Sequence, residues 1–118
     1  MNRYVIRGIA EDALRGKIVL LCEPGSITGR EALRQVVIDI GLVDPLAVRR
    51  ASWANGREEL DVASGGRVIL IRSPRALRGY AADVVYLGIN AALGSQAPEW
   101  LESAQPCIDS THGEIIRP

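Results

Sequence analysis

Apolar positions Val5, Ile6, Ile9, Ala10, Ala13 and Leu14 recur at the three- and four-residue spacing of one helix face, and Gly16 suits the cap that ends it. Lys17–Cys22 is then a continuous apolar run. This is the pattern of a strand buried on both faces of a parallel sheet. Glu23-Pro24-Gly25-Ser26 reads as a loop, and Thr28 with Glu31 has capping-box spacing. The pattern predicts a second helix that buries Ala32, Leu33, Val36, Val37 and Ile40 and stops near Gly41. Asp44-Pro45 opens a short helical turn through about Arg49. Two strands follow, about Arg50–Trp53 and Glu58–Val62, joined at Asn55-Gly56, a pair that tolerates positive φ at both hairpin positions. Ser64-Gly65-Gly66 is a turn, Arg67–Arg72 a strand, and Ser73–Ala82 a polar connection. Val84–Leu87 is a short buried strand. A helix starts near Ala91, another runs over Pro98–Ala104, and Gly113–Arg117 is a last strand. Apolar strands alternating with helices predict an α/β fold with a mostly parallel sheet, flanked by helices and carrying one antiparallel hairpin.

A chain of 118 residues that is 47% hydrophobic and 24% charged fits one domain over residues 1–118, with a small core. No apolar run approaches the roughly 18 residues of a membrane span, and the start of the chain lacks a secretory apolar stretch. The expected location is the cytoplasm. Formal net charge is zero, but thirteen of the 14 basic residues and nine of the 14 acidic ones precede Asp83. The first part therefore carries +4 and the tail −4, either a nucleic-acid face with an acidic end or two segments that neutralise each other.

Candidate chemistry is sparse. Cys22, Cys107 and a single histidine have no zinc-site spacing, so two inert thiols and no metal are expected. Gly16-Lys17 is not a phosphate loop. Glu11 stands at the first-glycine position, Ile18 replaces the magnesium-binding hydroxyl, and the pair precedes a strand instead of following one. Asp109-Ser110-Thr111-His112 holds triad residue types without a nucleophile elbow. Two segments are stronger candidates for binding. Ser26, Thr28 and Arg30 lie between a strand and a helix, where N–H groups favour an anion. Arg72, Arg75 and Arg78 with Tyr80 put forked donors and a stacking ring on one connection. The structural alternative is a loop with an N-cap for the first, and a solvated loop with salt bridges to the acidic tail for the second.

Ala54-Asn55-Gly56, Gly65-Gly66-Arg67-Val68-Ile69-Leu70, Leu77-Arg78-Gly79-Tyr80 and Ala82-Asp83-Val84-Val85-Tyr86-Leu87 occur in an order that resembles the ATPase core of phage large terminase subunits and related helicase-like proteins. The resemblance covers most of Tyr4 to Ala92. It implies a partial RecA-like, P-loop NTPase-type core in which Val84–Leu87 leads to the Walker B acids. Those positions hold Gly88 and Ile89, which neither bind magnesium nor accept a proton. The chain also begins past the expected phosphate loop. The resemblance thus implies a degenerate ATPase-like protein that is not an enzyme and takes no cofactor. Its expected role is that of a phage-type module binding a protein partner, phage or host, or another copy of itself. Nucleic-acid binding through the arginine-rich loop is the alternative. In related motors the loop matching Gly25–Arg30 often faces nucleic acid. The family's phosphate-loop strand would leave a gap beside Lys17–Cys22 and Val84–Leu87, which Gly113–Arg117 or a second chain is expected to fill.

Overall fold

The computed structural model describes residues 2–54 and 56–118, with the side chain of Ser26 outside that description. Asn55, half of the expected hairpin turn, lies outside the described residues. Helix α1 spans Arg3–Leu14. Asn2 caps it by accepting the Tyr4 N–H at 2.7 Å, and Ile6, Ile9, Ala10 and Ala13 form its buried face. Gly16, at φ +86°, turns the chain into strand β1, Ile18–Cys22. Helix α2 is Ser26–Val43, strands β2 and β3 are Val48–Ala54 and Arg57–Val62, and β4 is Arg67–Ile71. A 3-10 turn at Pro74–Leu77 leads to β5, Val84–Leu87. Two helices, α3 at Ile89–Leu93 and α4 at Ala97–Asp109, precede the last strand, β6, at Glu114–Ile116.

Among the described residues six strands form one mixed sheet in the order β2-β3-β4-β1-β5-β6. The run β4-β1-β5-β6 is parallel, and β2-β3-β4 is antiparallel. Side-chain alternation splits β1 between two cores. Val19 and Leu21 pack under α1 and α2 with Leu33, Val36 and Ile40. Leu20 and Cys22 pack on the opposite face with Leu77, Trp100, Ala104 and Ile108. Helices thus cover both faces of a central strand that is apolar throughout.

Several sequence expectations are corrected. Helix α2 begins at Ser26 with Gly25 as N-cap, so Thr28 and Glu31 form no capping box, and Glu31 instead accepts from Gln35 Nε2 at 3.1 Å. The helical turn expected through Arg49 is shorter. Asp44 Oδ1 accepts the Leu46 N–H at 3.0 Å, and β2 starts at Val48 because β3 supplies its backbone partners. Helix α4 runs past Pro106, held by the buried stripe Trp100, Ala104, Cys107 and Ile108. The last strand fills no interior gap. Strands β1 and β5 are bonded directly to each other, and β6 pairs with β5 at the sheet edge.

Candidate functional site

In an open parallel sheet, ligands bind at the carboxyl ends of adjacent strands whose outgoing connections leave to opposite faces. Strands β1 and β5 meet that condition, since α2 covers one face and α3 with α4 the other. At this crevice lie Gly88 and Ile89, the positions of the expected Walker B acids. Gly88 is buried and Ile89 is 56% exposed. The carboxylate present comes from β1. Glu23, directly after the strand, is fully buried, and its Oε1 accepts from Asn90 Nδ2 at 2.8 Å and from the Gly25 N–H at 3.3 Å. A Cβ on Gly88 would collide with Glu23 Oε2, so a side chain at 88 fits only if the Glu23 carboxylate moves aside. Thr28, one of the predicted anion donors, lines the same crevice, whereas Arg30 points elsewhere.

Arg30 and Arg72 converge instead on Glu58, the other buried acid. Glu58 shares a face of β3 with Leu60 and Val62. Arg72 Nη2 lies 2.5 Å from Glu58 Oε1 and 2.6 Å from Oε2. Arg30 Nε is 3.5 Å from Glu58 Oε2, and its Nη2 donates to Trp53 O at 3.3 Å. Three distant segments are thereby tied around one carboxylate. Arg72 Nε stays buried with no hydrogen-bond partner among the described residues.

Arg75 and Arg78 form no ion pair among the described residues. They line a groove against α4 whose other wall carries Glu99 and Glu102, so the groove has mixed charge. Tyr80 is 38% exposed and faces the cleft beside Arg72. The four residues of the arginine loop therefore divide between two clefts. Among the described residues Asp83, in the acidic tail, pairs with no arginine. Its Oδ2 accepts the Ile18 N–H at 2.8 Å and fixes the start of β1 against β5.

Both thiols are buried. Burial pushes the Cys22 thiol up strongly, with smaller contributions from Cys107 and Glu23, and burial also raises that of Cys107. Neither is poised as a thiolate nucleophile. Among the described residues no group of three His, Cys, Asp or Glu side chains is placed to hold a metal.

The sequence reading missed Glu23 and Glu58 as site residues. Glu58 had a signal in the period-two alternation with Leu60 and Val62. Glu23 had one too, as an acid closing an apolar strand at the carboxyl edge of the sheet. No family model and no curated protein matches this chain.

Proposed function

We propose that this chain is a non-catalytic, phage-type module on a scaffold like that of terminase and helicase ATPase cores, acting by binding a protein partner. The observation that carries the reading is an exposed apolar end of α2. Leu42 is 79% exposed, Val43 67% and Leu46 86%, with Ile38 one helical turn before Leu42 also exposed. Apolar side chains clustered at one end of a helix and the turn after it mark protein contacts, because each gains roughly 1.5–3 kcal/mol on full burial. The crevice supports the non-catalytic half of the reading. Gly88 and Ile89 offer no magnesium ligand, and the Glu23 carboxylate takes up the room a side chain at 88 would need. On this reading the protein works in the cytoplasm of an infected host.

The test is a cross-linked capture from infected-cell lysate with wild type, Leu42→Glu/Leu46→Glu and Arg75→Ala/Arg78→Ala. A discrete partner held by wild type and the arginine variant, but lost with the two glutamates, supports the reading. Equal capture by all three removes the apolar end as the contact.

A second reading, nucleic-acid binding, is favoured by one observation: Arg75 and Arg78 are exposed and form no ion pair among the described residues. Glu99 and Glu102 across the groove oppose a polyanion there. Salt-sensitive anisotropy with labelled DNA, weakened by Arg75→Ala/Arg78→Ala, would favour this reading over the first.

A further inference from the structure

Glu23 lies at the floor of a cavity of about 560 Å³ between the carboxyl end of β5, the start of α1 and strand β6. It is 1% exposed. Its Oε1 holds the two hydrogen bonds already described, whereas among the described residues no donor reaches Oε2 and no basic side chain forms an ion pair with it. The N-termini of α2 and α3, with Gly25 and Gly88 as N-caps, place partial positive charge beside the carboxylate and favour a negative group there. The remaining walls are largely apolar, formed by Val5, Tyr86, Ile89 and Ile116, with Asn2 and Thr28 as further polar groups. Arg117 also lines the cavity but is exposed and does not pair with Glu23.

This combination selects a ligand class. An anion is repelled by the carboxylate. A neutral apolar molecule would cover Oε2 without giving it a donor, at the cost of desolvating a charge. Divalent magnesium or calcium needs about six oxygen ligands, and no acidic cluster stands here among the described residues. We infer that the cavity binds an organic ammonium ion, with the N–H donors on Glu23 Oε2 and the alkyl or aryl body against Val5, Tyr86, Ile89 and Ile116. The ammonium comes either from a free amine or from a lysine side chain of another protein. The inference does not rest on the partner-binding role of α2.

Proton–nitrogen correlation spectra of the full chain, titrated with benzylammonium, benzyl alcohol and Nα-acetyl-lysine methylamide, test it. Benzylammonium is expected to give saturable shifts at Glu23, Gly25, Gly88 and Asn90, with benzyl alcohol weaker by about tenfold or more, the loss of one charge-assisted contact. Glu23→Gln keeps the acceptor for Gly25 and Asn90 and should weaken the amine by a similar factor. Ile89→Arg, at an exposed position, adds a second tethered cation beside Arg117 and replaces an apolar wall, and should weaken binding by about tenfold or more even if Glu23→Gln fails to fold. Tighter binding of the lysine amide assigns the ammonium to a protein side chain, and tighter binding of benzylammonium assigns it to a free amine. Equal affinity for benzyl alcohol, unchanged binding in either folded variant, or no saturable shift in wild type overturns the inference.

Discussion

The two buried glutamates of this molecule are handled in opposite ways. Glu58, on β3, is enclosed by the chain's own cations, with Arg72 at 2.5 Å and Arg30 at 3.5 Å. Glu23, after β1, is equally buried but receives only an amide, a backbone N–H and two helix N-termini. The first arrangement ties α2, β3 and the end of β4 together and uses up two arginines that the sequence offers as phosphate binders. The second leaves one carboxylate oxygen toward a cavity at the carboxyl edge of the sheet. A buried acid closed by internal ion pairs is structural, and one closed by neutral donors keeps its capacity for an external cation.

The largest expected effect falls on the closed site. Glu58→Ala leaves two guanidinium groups facing each other, one with a buried Nε. Because both arginines are partly exposed and regain water, the expected loss is about 3 kcal/mol in urea denaturation, at the low end for breaking a buried pair. Gly88→Ala comes next. Its methyl group meets Glu23 Oε2, and forcing the carboxylate aside should cost about 2 kcal/mol by the same measurement. The two arginines should then separate. Arg72→Ala should cost about 1.5 kcal/mol and Arg30→Ala about 0.5 kcal/mol, following the shorter contact and lower exposure of Arg72. Glu23→Gln is the smallest, within about 0.5 kcal/mol of wild type, because the amide oxygen still accepts from Asn90 and Gly25. A loss at Glu23→Gln as large as that at Glu58→Ala would erase the contrast.

Most of the architecture was legible in the residues. The continuous apolar runs of β1, β4 and β5 predict strands buried on both faces, and the three-and-four spacing in α1 predicts its buried side. Two of the boundaries that failed depended on non-local partners. Val48 joined a strand because β3 offers it a ladder, and α4 outlasted Pro106 because its apolar stripe continues to Ile108. The site was less legible. Arg30, Arg72, Arg75 and Arg78 look alike in sequence, and only the fold brings Glu58 to the first two and sets Glu99 and Glu102 across from the others. The partnership of Glu23 with Gly88 spans adjacent strands far apart in the chain, so no local motif reveals it.

The contrast is tested most directly by carboxyl-carbon NMR of the glutamate-labelled protein during a benzylammonium titration. A saturable shift of the Glu23 carboxyl carbon, with that of Glu58 unmoved, is the predicted result. Equal movement of both carbons, or movement of Glu58 alone, would contradict the assignment of one glutamate to the fold and the other to a ligand.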